Sequence, residues 1–221
     1  MTSPFFTIGH STRAVTEFVD LLKGEQVRFV VDVRTVPRSR SNPQFNDDVL
    51  PQTLAQDQIG YERIAALGGL RGKQHEVGPG VNAFWQNQTF HNYADYGVTE
   101  AFHSGFARLC ALGQEQRCAI MCAEAVWWRC HRRIIADYLI AAGKTVFHIL
   151  GQGRIVEARM TAASHLGPDG SLTYPAEIEL MRRWQSACSS PESHDKRGYA
   201  CGVPVRACTT SCVSCARVWW G

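Results

Sequence analysis

Long hydrophobic runs are missing from this chain of 221 residues, and none approaches the eighteen or so apolar residues of a membrane span. The opening segment, Met1-Thr2-Ser3-Pro4-Phe5-Phe6, lacks the basic flank and long apolar core of a secretory leader. The expectation is therefore a cytoplasmic protein with reduced thiols and no membrane partner. Strong charge of either sign is missing too. A net charge of +3 gives no global argument for nucleic-acid binding and leaves only a local patch open. There is no internal repeat. Apolar content of 45% and charged content of 19% suit one sizeable core, with room for an extra element or tail.

Cysteine, by contrast, is plentiful. Of nine, Cys110, Cys118, Cys122 and Cys130 lie in the folded-looking body. Cys188, Cys201, Cys208, Cys212 and Cys215 crowd the end. An odd count in a cytosolic-looking chain argues against a disulfide framework. Among the terminal thiols only Cys212 and Cys215 have a familiar zinc spacing, so the tail reads as disordered rather than as a structural zinc site.

Hydrophobic periodicity predicts an α/β protein, a single domain with a mainly parallel sheet flanked by helices. Phe5 to Gly9 reads as a short strand. Val15, Phe18, Val19 and Leu22 then recur at helical spacing up to Gly24, and Val27 to Val33 is β-branched and strand-like. Strand, helix, strand with short connections is a βαβ unit, so these strands should be parallel. Arg34 to Asn46 is a Pro- and Arg-bearing loop. A helix is expected over 47–58, a strand over 61–64, and a helix behind the capping residue Thr99. Cys118 to Cys122 forms the next strand, Cys130 to Ala142 the next helix, and Val146 to Leu150 the last strand. The core domain is drawn at 1–165. The extension, 166–221, carries a helix near 175–187.

Parallel strands bring their carboxyl ends to one rim, which is where open α/β folds place their chemistry. His10 and Ser11 follow the first strand, Asp32 and Arg34 the second, and Cys122 and Glu124 the Cys118–Cys122 strand. His131 and Arg132 stand at the start of the next helix. Cys122, near a helix start with His and Arg close by, is the candidate nucleophile; its bland alternative is a buried strand-end Cys. Glu124 is either a general acid or base, or an acceptor for free helix amides. Asp32, set among apolar residues, needs an ion pair if buried, with Arg34, Arg132 or His10 as partner. Cys130 and His131 are adjacent, about 100° apart on a helix, so Cys130 is assigned to packing. Arg34, Arg38 and Arg40, with Asn42 and Asn46, could hold a phosphate or carboxylate.

The spacing excludes one familiar cradle. Six residues separate Cys122 from Arg129, and Trp127 and Trp128 stand where a phosphatase or sulfurtransferase loop needs small residues. Capture of an anion at this turn remains open.

Several blocks occur in order: Thr7-Ile8-Gly9-His10-Ser11, Val31-Asp32-Val33-Arg34, Pro37-Arg38-Ser39, Asn42-Pro43-Gln44-Phe45-Asn46, Leu67-Gly68-Gly69, Tyr93 to Tyr96, Cys122-Ala123-Glu124 and Cys130-His131-Arg132. On these blocks the chain resembles the domain of unknown function 488 family over about residues 5 to 160. The resemblance implies a single α/β domain of bacteria and archaea, without a settled activity or substrate.

Three functions compete. The first is a thiol- or carboxylate-dependent hydrolase or transferase acting on a small anionic or nucleotide-like substrate. Its catalytic set is Cys122, Glu124, His10 and His131, with Ser11, Asp32, Arg34, Arg38, Asn46 and Arg132 binding substrate and no cofactor expected. The second is a nucleic-acid module stacking bases on Phe84, Trp85, Phe90, Tyr93 and Tyr96. The third is a metal site of His10, Cys122, Glu124 and His131, although no two of these show a dedicated ligand spacing. Oligomeric state is not legible in the sequence.

Overall fold

The computed structural model describes residues 3–176 and the short segments 199–200 and 203–204. Its first half runs β1 (Phe5–Gly9), α1 (Val15–Gly24), β2 (Phe29–Asp32), α2 (Leu50–Gln56), β3 (Gly60–Arg63) and α3 (Gln88–Gly97). The second half adds α4 (Glu100–Glu115), β4 (Cys118–Cys122), α5 (Arg132–Ala141), β5 (Val146–Gly151) and β6 (Arg154–Glu157). One six-stranded sheet results, in the order β3-β2-β4-β1-β5-β6. Its strands are parallel except for the antiparallel β5–β6 hairpin. Two small hairpins follow, β7 (His165–Leu166) with β8 (Leu172–Thr173), and β9 (Tyr199–Ala200) with β10 (Val203–Pro204). The α/β class expected from periodicity is what the chain forms.

Alternation along the strands divides the interior into two layers, because successive side chains of a strand point to opposite faces. On β4, Cys118, Ile120 and Cys122 pack with Phe102 and Leu109 of α4 and Ile134, Ile135 and Tyr138 of α5. Ala119 and Met121 turn the other way, toward Phe18 and Leu22 of α1 and Leu54 of α2. Cys122 therefore emerges at the sheet's carboxyl rim on the α5 side. Its neighbours there are Gly9 of β1 and, one residue back along β4, Asp32 of β2.

β1 and β2 are parallel, as a βαβ unit requires, yet they are not neighbours: β4 lies between them. That insertion makes β4 the sheet's middle and places its end between the ends of β1 and β2. Several element bounds shift from expectation. α2 begins at Leu50 rather than residue 47, since the amides of Val49 and Leu50 both return to Asn46 O. α5 begins at Arg132, preceded by a 3-10 turn at Trp127–Arg129. α3 was not anticipated, although its signals are present in retrospect. Asn87 Oδ1 caps it by accepting from the amides of Thr89 and Phe90, and Phe90, Tyr93, Ala94 and Gly97 follow at helical spacing.

The core does not stop at residue 165. Leu172 and Tyr174 are fully buried, and the Tyr174 hydroxyl donates to Asp137 at 3.0 Å. The helix expected near 175–187 falls outside the described residues beyond its first two positions, as do the terminal cysteines. Among the described residues no helix is long and apolar enough to cross a membrane.

Candidate functional site at the strand ends

The ends of β1 and β4 are stitched together beyond the sheet. His10 N donates to Cys122 O and Ser11 N to Ala123 O, both at 2.9 Å. This closeness explains Gly9, where a Cβ would stand 2.1 Å from Glu124 O. Ser11 takes a left-handed backbone, φ 49°, at the rim. Between the rim, the loop after β2 and the start of α5 opens a cavity of about 640 Å³. His10, Ser11, Arg34, Cys122, Glu124 and His131, all at or just beyond strand ends, line it together with Arg38 of the loop after β2. Cys130 and Arg129 line it as well.

One side of the cavity is a nearly saturated ion-pair network. Asp32 is fully buried and receives Arg34 Nε at 3.0 Å, Arg34 Nη2 at 2.6 Å and the Tyr61 hydroxyl at 2.7 Å. Arg34 also donates from Nη2 to Phe45 O at 2.7 Å and from Nη1 toward His10 Nε2 at 3.3 Å. Four of its five N–H groups are thus used, and one Nη1 proton is left for the cavity. His10 Nδ1 faces Ser11 O at 2.8 Å, and a carbonyl only accepts. The proton therefore sits on Nδ1, leaving Nε2 to accept from Arg34. Burial, reinforced by Arg34, lowers His10 to a pKa of about 4 and keeps it neutral. Asp32 was expected to bind substrate, but all of its acceptor capacity toward the cavity is taken by Arg34 and Tyr61.

The other side is different. Sγ of Cys122, Sγ of Cys130 and a ring nitrogen of His131 lie within 4.8 Å of one another. Cys130 Sγ is 3.6 Å from His131 Nδ1 and receives Arg132 Nε at 3.3 Å. His131 Nε2 lies 3.1 Å from Val33 O and donates to it, which leaves Nδ1 facing the sulfur. The neighbouring Cys122 thiol holds Cys130 well below the ordinary thiol range, aided by Arg132 and His131 against the opposing effect of burial. The same proximity, with burial, pushes Cys122 up. Cys130 also immediately precedes the N-terminus of α5, whose dipole favours a thiolate. Of the two thiols, Cys130 is the one whose surroundings favour the ionised form.

Cys130 does pack in the core, 3% exposed, but it is not on a helix and it lines the cavity too, so assigning it to helix packing alone was incomplete. The 100° separation holds only inside a helix, and Cys130 has extended backbone (φ −124°, ψ 145°), so it and His131 both reach the cavity. Arg132, expected to bind substrate, is 1% exposed and sits behind Cys130, donating to its sulfur and to Glu124 O. Asn46 does not line the cavity either; its Oδ1 accepts from Ser39 N at 2.7 Å and shapes the loop. Gly69 closes the floor, where a Cβ would stand 2.3 Å from His131 Nδ1.

Glu124 Oε1 accepts from Val126 N at 3.0 Å, securing the loop between Cys122 and Cys130. That loop is anchored by a contact the sequence did not disclose. Trp127 stacks on His148 at 4.2 Å between ring centroids, and His148 Nδ1 is 2.7 Å from Thr7 Oγ1. Burial lowers His148 to a pKa of about 4 as well. Arg38 is exposed and pairs with Asp47 and Asp48 at the mouth. Trp85, Tyr93 and Tyr96 are buried in the core and are not open to stacking bases. The metal set expected from His10, Cys122, Glu124 and His131 does not assemble, since His10 Nε2 faces Arg34 and Glu124 faces Val126. Among the described residues, Cys122, Cys130 and His131 are the donors close enough to share an ion.

Fold and site together define a doubly layered α/β protein with a Cys–Cys–His cluster on the carboxyl rim of a mainly parallel sheet. Its sequence belongs to the family Domain of unknown function DUF488, whose model matches residues 14–139. Comparison with curated proteins and with solved structures gives no match.

Proposed function

We propose that the chain is an enzyme whose nucleophile is the Cys130 thiolate and whose substrate is a small anion held in the strand-end cavity. One observation carries this reading: Cys130 Sγ stands between Arg132 Nε and His131 Nδ1, on the wall of a cavity that Arg34 and Arg129 also line. A thiol in that position passes its proton to Nδ1, and the resulting thiolate is held by Arg132 and by the imidazolium. The spare N–H of Arg34, with Arg129, attracts the anionic end of the substrate. Cys122, the sequence candidate for nucleophile, becomes the neighbouring thiol that favours the ionised form of Cys130. His10 acts through Arg34, as a positioning residue.

Alkylation by iodoacetamide at neutral pH, mapped by peptide mass spectrometry, tests this on the full chain. Cys130 should label faster than Cys110 or Cys118, and inorganic phosphate or sulfate should protect it. Labelling of Cys130 no faster than an ordinary thiol, or unaffected by either anion, would sink the proposal.

A further inference from the structure

We infer that Cys122 is the resolving partner of Cys130 and that the cavity turns over a small anionic disulfide by thiol–disulfide exchange. This rests on the reading of Cys130 as nucleophile and adds the class of substrate. Three features of the site support it.

The first is the identity of the second thiol. Among the described cysteines only Cys122 and Cys130 line the cavity; Cys110 lies on α4, and Cys118 sits at the opposite end of β4, donating to Gln116 O. A single reactive thiol needs no second sulfur within 4.8 Å, and a pair does.

The second is the position of the electrophile. In a thioester or thiophosphate the atom to be attacked lies one bond beyond the nucleophilic sulfur. In a mixed disulfide the attacked atom is Cys130 Sγ itself, the atom that Cys122 faces. Cys122 is placed to resolve an S–S intermediate and no other of these.

The third is the asymmetry of the two backbones. Cys122 ends the central strand and is fixed on both sides, by β1 and β2. Cys130 lies in extended chain between a 3-10 turn and α5. Closing the sulfurs to the S–S bond of about 2.05 Å therefore asks for movement on the Cys130 side, where no strand pairing opposes it.

The exchange balances with the substrate disulfide as the oxidant. The Cys130 thiolate attacks one sulfur of the substrate, forming Cys130–S–S–R as the R–S–S–R bond breaks and one thiolate leaves. Cys122 gives up its proton, through His131, to that departing thiolate. It then attacks Cys130 Sγ, forming Cys122–S–S–Cys130 and releasing the second thiolate, which takes up the proton that Cys130 lost at the start. Two electrons pass from the protein dithiol to the substrate, and two small thiols are the products. Arg129 and the spare N–H of Arg34, both on the cavity, suit a disulfide bearing a carboxylate.

Glutathione disulfide is the probe, added to the reduced full chain under anaerobic conditions, with acid quenching and tandem mass mapping that separates Cys122 from Cys118. The wild type should form the Cys122–Cys130 disulfide and release both glutathione thiols. Cys122→Ser should retain glutathione on Cys130, with a lifetime extended by about tenfold or more, and Cys130→Ser should show neither product at these positions. If the wild type retains glutathione on Cys130 as long as Cys122→Ser does, the resolving role is lost and the nucleophile reading survives. If Cys130 reacts with neither glutathione disulfide nor iodoacetamide, both are lost. Stoichiometric zinc in chelator-free protein, released by Cys122→Ser, would overturn both in favour of a metal centre.

Discussion

Two clusters of charged and polar groups lie at the same rim, one at the end of β2 and one between the end of β4 and the start of α5, and they behave in opposite ways. Around Asp32 nearly every donor meets an acceptor: Arg34, Tyr61, His10 and Phe45 O close the network among themselves. Around Cys130 the groups are just as buried, yet the sulfur, the His131 nitrogen and the neighbouring Cys122 thiol keep reactive capacity directed at the cavity. Convergence at strand ends thus does not separate structural from chemical groups. What separates them is whether the hydrogen-bonding capacity is exhausted inside the protein.

Removing the nucleophile should give the largest effect and the sharpest version of this contrast. Cys130→Ser is expected to cut turnover of a disulfide substrate by on the order of 10³ to 10⁴ while the chain still unfolds cooperatively in urea, because a hydroxyl fits the space and still accepts from Arg132 but is not ionised. A variant that unfolds readily instead would mean that this cluster, too, is structural. Arg34→Ala is the complementary change. Leaving Asp32 buried without its partner should cost about 3–5 kcal/mol in unfolding free energy, and Arg34→Lys should recover little, since a point charge cannot reproduce the fork. A loss below about 1 kcal/mol would break the comparison from the other side.

Acid separates the two clusters by a different route. His10 and His148 titrate near 4 in the folded chain against 6.5 when unfolded. Between those values the unfolded chain binds protons that the native rings refuse, so stability falls as pH drops from about 6.5 toward 4. At about 1.4 kcal/mol per unit, each ring contributes on the order of 2–3 kcal/mol to that loss. Urea midpoints measured at pH 7 and pH 4.5 test it, and His148→Phe, which keeps a ring beneath Trp127, should flatten part of the slope. An unchanged slope would remove His148 from the account.

How much of this was legible beforehand follows from the range of the interactions involved. β1 to β5, α1, α4 and the meeting of His10, Arg34, Cys122, Glu124 and His131 at one cavity follow from local periodicity and from the rule that parallel strands end together, whereas β6, β7 and β8 do not. Cys130 was misassigned because helical angles were applied one turn too early; the helix starts only after the Trp127–Arg129 turn, where Trp127 stacks on His148 from a distant part of the chain. Asp32 was read as either a ligand or an ion-pair partner, since composition cannot report that Tyr61, from another strand, takes its second oxygen. α3 carried a usable signal in Asn87 and the aromatic spacing behind it, obscured by the polar residues between.

Glu124 is the finest test, because it belongs to neither pattern cleanly. One oxygen is committed to Val126 N, as in the saturated network, and the side chain still lines the cavity, as in the reactive one. An amide oxygen can accept from Val126 N as a carboxylate does, so Glu124→Gln should preserve the loop and change stability by less than about 0.5 kcal/mol. If Glu124 serves only to hold the loop between the two cysteines, iodoacetamide labelling of Cys130 and turnover should both stay within about threefold of wild type. A loss of about a hundredfold in turnover, with Cys130 labelling intact, would instead make Glu124 the proton carrier of the site. That outcome would move the boundary between the two clusters by one residue, since a group half committed to the backbone would still be doing chemistry with its free oxygen.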